Sequence, residues 1–107
     1  MNLLIDDRRE YNVDYIARTF EQGINILRTV FVDHLYLDHD YGQDDFAEID
    51  KKRYHRDGVG ILRWLSDNPQ FKPGRITIVS DNPVGIDAMR AELRALDYEE
   101  TMGSWWA

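Results

Sequence analysis

An α/β sandwich with a mainly parallel sheet of about five strands is the fold class that three observations predict for this chain of 107 residues. Short apolar runs alternate with segments of helical periodicity, the pattern left by successive strand-helix-strand crossovers. Three of the runs stop abruptly at polar or ionisable residues: Leu3-Leu4-Ile5 at Asp6-Asp7, Val32 to Leu37 at Asp38-His39-Asp40, and Ile76-Thr77-Ile78-Val79 at Ser80-Asp81-Asn82. The run from Val30 to Leu37 is almost continuously apolar, broken only by Asp33 and His34, as expected of a strand covered on both faces. The length suits one domain over residues 1–107, with one core and one site.

Taken in order, Leu3 to Ile5 is the first strand, since a run this short bounded by two acids fits a buried strand better than a helical turn. Arg8 to Asp14 is a polar loop, and Tyr15 to Phe20 has the β-branched and aromatic composition of a second strand. The connection between them is shorter than a usual parallel crossover, so the second strand is either joined by a tight helix-free crossover or antiparallel. Thr19 is a potential N-cap with Gln22 three residues on, and Phe20, Ile24 and Leu27 fall at helical spacing, which predicts a helix over Glu21 to Thr29. Val30 to Leu37 is the third strand. Tyr41 to Arg56 is dense in mixed charge without periodicity and reads as a long loop, the length of a lid or specificity element. Asp57 caps a helix through Ser66 whose apolar stripe is Val59, Leu62 and Leu65, widened by Ile61 and Trp64. Arg75 to Val79 is the fourth strand. Asp81 or Asn82 caps the next helix, with Pro83 in its first turn and Val84, Ala88, Met89, Leu93 and Leu96 as apolar positions. Thr101 to Trp106 reads as a last edge strand, with Trp105 and Trp106 covering apolar surface or forming a contact.

Twenty acidic against thirteen basic residues give a formal charge of -7, which disfavours broad electrostatic binding to duplex DNA, RNA or anionic lipid. A small phosphorylated ligand remains compatible, because a metal ion or local arginines reverse the field inside a cleft. The absence of cysteine removes disulfides, thiolate metal sites and a cysteine nucleophile. Charge at Asp6-Asp7 comes too early for a signal peptide, and no apolar run has membrane-spanning length, so the expected location is the cytoplasm.

In open parallel sheets, ligands lie beyond the carboxyl ends of the strands. If the three polar-tipped strands are neighbours, Asp6, Asp7, Asp38, His39, Asp40, Ser80 and Asn82 meet along one edge. The blander readings are a solvated turn for Asp6-Asp7, charge balance for Arg8 and Arg9, and a plain helix cap for Asp81-Asn82-Pro83. Strand alternation puts Asp38 and Asp40 on one side and His39 on the other, so His39 is either a proton carrier or a structural hydrogen-bonder. His34 reads as packed, His55 as solvated and Trp64 as core.

The sequence Leu4-Ile5-Asp6-Asp7-Arg8-Arg9, then Leu37-Asp38-His39-Asp40-Tyr41-Gly42, then Asp57-Gly58-Val59-Gly60-Ile61-Leu62-Arg63-Trp64-Leu65, then Ser80-Asp81-Asn82-Pro83-Val84-Gly85 with Met89 resembles the cyclic-phosphate processing receiver-like family, common in bacteria and their phages. The four motifs stand in the family's order and span residues 2 to about 96. The resemblance implies a small receiver-like, flavodoxin-like sandwich lacking the first receiver helix, and a role in sensing or hydrolysing cyclic phosphates in nucleotide or RNA metabolism or conflict systems. It also implies a site of Asp6, Asp7 and Arg9, of Asp38, His39 and Asp40, and of Ser80 and Asn82. Two departures stand out. Val79 occupies the position before the serine where family members often carry a histidine, and no lysine lies at the tip of the last strand, the chain's lysines being Lys51, Lys52 and Lys72. The second departure argues against phosphorelay signalling.

Cyclic phosphodiester hydrolysis needs neutralised phosphoryl oxygens, an activated water and a proton for the leaving alkoxide. Asp6, Asp7 and Asp38 are a hard oxygen set suited to Mg²⁺ or Mn²⁺. Arg9, Ser80 and Asn82 are candidates for holding phosphate, and Asp38, His39, Asp40 and Ser80 for the chemistry. The expected substrates are 2′,3′-cyclic ends, as on RNA, or cyclic nucleotides. The competing expectation is a non-enzymatic acidic protein, such as a phage-encoded inhibitor acting in the host cytoplasm, that occupies a basic host protein through its acidic surface or Trp105-Trp106.

Overall fold

The computed structural model describes residues 1–43 and 45–98. Its elements run β1 (Asn2–Ile5), β2 (Tyr15–Ala17), α1 (Phe20–Thr29), β3 (His34–Leu37), β4 (Phe46–Ile49), β5 (Lys52–His55), α2 (Gly58–Asp67), a 3-10 turn (Pro69–Phe71), β6 (Arg75–Ile78) and α3 (Pro83–Ala95). Strands β2, β1, β3 and β6 form one sheet in that order, and each neighbouring pair is parallel. The expected mainly parallel α/β arrangement is therefore present. Of the two possibilities for the second strand, the tight helix-free crossover is the one adopted. Leu3, Ile5, Leu35, Leu37, Ile76 and Ile78 alternate onto one face of the sheet and join Phe20, Ile24, Leu27, Leu62, Trp64, Leu65, Met89 and Leu93 in the core. Among the described residues no helix is long and apolar enough to cross a membrane.

Two strand boundaries shift by three residues or more from the sequence reading, each for a local reason. The second strand stops at Ala17 instead of Phe20. Thr19 Oγ1 accepts the Gln22 N–H at 3.2 Å, the Gln22 side chain takes the Arg18 N–H at 2.8 Å, and this reciprocal cap draws Phe20 into the helix, where it is fully buried. The third strand begins at His34 instead of Val30, because the Val30 N–H closes the last turn of α1 on Ile26 O at 3.0 Å. That strand is also not covered equally on both faces. Leu35 and Leu37 are buried, whereas His34 and Tyr36 are half-buried. In place of the missing helix, the β1–β2 connection lays Tyr11 edge-on against Tyr36, with ring centroids 5.5 Å apart, and Tyr36 stacks on His34. His34 Nε2 lies 2.7 Å from Thr77 Oγ1, consistent with a packed residue, and burial followed by the charge of Arg75 lowers its pKa.

The largest correction concerns the long loop. Residues 46–55 are an antiparallel hairpin, β4 against β5, turning at Asp50 and Lys51, both with positive φ as in the tight turns that suit twisted hairpins. Only Ala47 on one strand and Tyr54 on the other are buried, and Tyr54 Oη donates to Asp67 Oδ2 at 2.6 Å, tying the hairpin to the end of α2. The edge strand expected over 101–106, including Trp105 and Trp106, falls outside the described residues.

Candidate functional site

The register that pairs Ile5 with Leu37 and Leu37 with Ile78 brings the three strand ends level. The ladder continues one residue beyond each strand, with Asp38 N donating to Ile5 O and Val79 N to Leu37 O, both at 3.0 Å. Asp6 and Asp38 thus stand side by side at the carboxyl edge, 0% and 5% exposed, with Ser80 1% exposed beside them. Carboxylate oxygens of Asp6, Asp7 and Asp38 lie within 4.8 Å of one another.

The helix-free connection delivers the cations. Asp6 Oδ1 accepts the backbone N–H groups of Arg8 and Arg9 at 2.9 and 3.0 Å, a turn that returns the Arg9 side chain over the carboxylates. Arg9 Nη1 donates to Asp6 Oδ2 at 2.8 Å and lies 3.5 Å from Asp38 Oδ1, while Nη2 donates to Asp81 Oδ2 at 2.6 Å. Burial works against the Arg9 charge, but the hydrogen bond and charge of Asp6, with Asp38 and Asp81 beyond, hold its pKa above the ordinary value. Arg18 pins the backbone from below, donating to Asp6 O and Arg9 O.

Asp38 has the opposite balance. Burial and the adjacent Asp6 charge push its pKa up to about 6, and the His39 N–H, the Arg9 charge and a hydrogen bond from Ser80 only partly offset them. Ser80 Oγ accepts the Asn82 N–H at 3.1 Å, so the serine links Asp38 to the first turn of α3. Asn82 caps that helix, its Oδ1 accepting the Gly85 N–H at 3.1 Å, and its amide donates to Asp40 Oδ2 at 3.2 Å.

His39 stands apart from this group. Its Nδ1 lies 2.9 Å from Asp40 Oδ1 and its Nε2 3.8 Å from Asp57 Oδ2, and its ring packs so closely on Gly85 that a Cβ there would lie 2.5 Å from it. Burial tends to raise the Asp40 pKa, but the hydrogen bonds from His39 and Asn82 lower it below the ordinary carboxylate value. The open cleft between the strand tips, about 300 Å³, is lined by Asp7, Arg8, Asp38, Asp40, Ser80, Asp81 and Asn82, with no contribution from the His39 ring. Two of these liners, Arg8 and Asp81, were read from sequence only as a charge balancer and an alternative cap. Asp81 sits 72 positions from Arg9, and no local pattern could reveal their pairing. Val79, where the family often carries histidine, is buried and brings no titratable group.

The lining holds four carboxylates against the Arg8 guanidinium, with Arg9 just behind. A phosphate entering so acidic a cleft needs further positive charge, which a divalent cation on the Asp6, Asp7 and Asp38 oxygens would supply. The hard, clustered donor set fits such an ion.

The family model described as the cyclic-phosphate processing receiver domain matches residues 1–95. Neither among curated proteins nor among solved structures does any relative match the chain. Residues 1–95 include all six strands and all three α-helices of the described structure, and the first, second and fourth motifs line its strand-tip cleft: the chain belongs to the cyclic-phosphate processing receiver domain family.

Proposed function

We propose that the strand-tip cleft binds a small cyclic phosphate, such as a 2′,3′-cyclic ribose phosphate, and opens its ring by metal-assisted hydrolysis. The observation that carries this reading is the convergence of the Asp6, Asp7 and Asp38 carboxylates with Arg9, Ser80 and Asn82 at the carboxyl edge of a parallel sheet. Asp6, Asp7 and Asp38 would hold Mg²⁺ or Mn²⁺, which neutralises phosphoryl oxygens and acidifies water. Arg8 lines the cleft and Arg9 borders it, so their guanidiniums are the cationic hydrogen-bond donors for the remaining phosphate oxygens. Ser80, its hydroxyl donating to Asp38 and its Oγ accepting the Asn82 N–H, positions the Asp38 carboxylate against the first turn of α3. Asp40 faces the cleft and is backed by His39, a carboxylate-imidazole pair able to take the proton of the attacking water as its oxygen bonds to phosphorus. The ring P–O bond then breaks, and the alkoxide takes up the proton that the Asp40–His39 pair removed from water, leaving a phosphomonoester.

Val79 favours a second form of the same reading, in which the domain senses the cyclic phosphate without turning it over, since the imidazole common at that position in the family is absent. A ³¹P NMR panel of 2′,3′-cyclic, 3′,5′-cyclic and cyclic dinucleotides, with and without Mg²⁺ or Mn²⁺, separates the two. The expected result is a new monoester resonance that requires metal and is absent with Asp38→Asn. Broadened ligand lines without product would establish sensing. Unchanged spectra throughout would reject both forms and favour an acidic surface directed at a basic protein, whether phage-encoded or cellular.

A further inference from the structure

We propose that Arg9 is a built-in gate on the cation site: its guanidinium and a divalent cation compete for the same carboxylate oxygens, so that loading the cation releases Arg9 for phosphate. This rests on the metal part of the function proposed above and adds to it an order of events.

The constraint comes from Asp6. Its Oδ1 is already committed to two backbone N–H groups, of Arg8 and Arg9, which leaves Oδ2 as the less encumbered oxygen. Arg9 Nη1 occupies that oxygen at 2.8 Å and reaches Asp38 Oδ1 at 3.5 Å, bridging two of the three carboxylates. Hard divalent ions sit about 2.0–2.6 Å from carboxylate oxygens, so an ion on Asp6 Oδ2 and Asp38 Oδ1 would stand against the guanidinium, and two cations do not share that space.

The chain provides for the displacement. The backbone at residues 6–9 is held by the Asp6 turn and by Arg18 on the Asp6 and Arg9 carbonyls, so the exchange falls to the Arg9 side chain. Its second amine already leans outward on Asp81, which is 61% exposed in its side chain and lines the cleft. A guanidinium turned off Asp6 and Asp38 stays tethered beside Asp81 and Arg8, where a phosphate entering the cleft would meet it. Without a cation, Arg9 partly neutralises Asp6 and Asp38; with one, the site would gain the ion and a guanidinium turned toward Asp81.

The test is Mn²⁺ binding followed by electron paramagnetic resonance, using the metal alone, in wild type, Arg9→Gln and Arg9→Lys. Removing the competing charge is expected to tighten Mn²⁺ binding about tenfold or more in Arg9→Gln, with Arg9→Lys much nearer to wild type. Circular dichroism melts establish that each variant is folded. In the wild type, Mg²⁺ titration followed on the Arg9 Nε–H signal gives a reading that needs no variant: the signal is expected to shift and exchange faster with water as the ion saturates. Equal or weaker Mn²⁺ binding by folded Arg9→Gln, or an Arg9 signal unmoved at saturating Mg²⁺, would overturn the gate while leaving metal-assisted hydrolysis standing. Absence of Mn²⁺ binding in every form would overturn both.

Discussion

Asp38→Asn is expected to melt higher than the wild type at pH 8 in chelator while losing metal binding and any turnover of cyclic phosphate. In the folded protein Asp38 titrates near 6, against about 3.9 for an unfolded aspartate. Between those values the folded state holds a proton that the unfolded state has lost, so stability falls as pH rises from about 4 to about 6, and the cost is fully present above that window. A shift of this size corresponds to roughly 2–3 kcal/mol, which solvent at the open cleft reduces to about 1–2 kcal/mol. Asparagine removes the charge and with it the pH dependence in that window. Its amide keeps one acceptor oxygen for the His39 N–H and Ser80 hydroxyl, so part of the gain is lost. A net increase of several degrees in Tm is expected, read by circular dichroism melts from pH 4 to pH 8 with EDTA. Adding Mn²⁺ should raise the wild-type Tm and leave the variant unchanged. A variant that melts lower at pH 8 would show that Asp38 contributes its hydrogen bonds to stability more than its buried charge costs.

Gly60→Ala is expected to be the most damaging single methyl addition near the site. A Cβ at Gly60 would lie 1.8 Å from the His55 carbonyl oxygen and 3.2 Å from the Phe20 ring, while the Gly60 N–H is held by Asp57 Oδ1 at 2.8 Å. Backbone faces backbone there, so the strain has no flexible side chain to absorb it. The first turn of α2 must lift from the end of β5, and with it goes the Gly58 N–H bond to His39 O that supports the tip of β3. The expected cost is about 3 kcal/mol or more. That is a large part of the stability of a domain this size and would lower Tm by roughly 10 °C or more. A melt within a degree or two of wild type would mean that α2 slides without cost.

The parts of this structure legible in the sequence are those that local chemistry decides. Leu3 to Ile5 and Ile76 to Val79 can be read as strands because their apolar runs end at once in acids or serine. Thr19, Asp57 and Asn82 can be read as caps because each accepts an N–H only three residues ahead. The meeting of the polar tips followed from treating those strands as parallel neighbours. The hairpin over 46–55 was hidden because each of its strands buries a single side chain, which leaves no alternation to read, and its turn uses Asp50-Lys51 in place of an Asn-Gly or Asp-Gly pair. The setting of His39 against Asp40, Asp57 and Gly85 depends on where α2 and α3 begin in space, and the grip of Arg9 on Asp6, Asp38 and Asp81 joins three separate strand ends. Alternation along the strand anticipated only that His39 would leave the side of Asp38.

The most direct measurement is a ¹H-¹⁵N correlation titration of the wild-type protein with a 2′,3′-cyclic nucleotide in saturating Mg²⁺. A cyclic-phosphate site at the strand tips predicts saturable shifts concentrated at Asp7 to Arg9, Asp38 to Tyr41 and Ser80 to Gly85, with the hairpin over 46–55 unmoved. Shifts centred on the hairpin or on the sheet face around Tyr11 and Tyr36, or no shifts at any concentration, would contradict it.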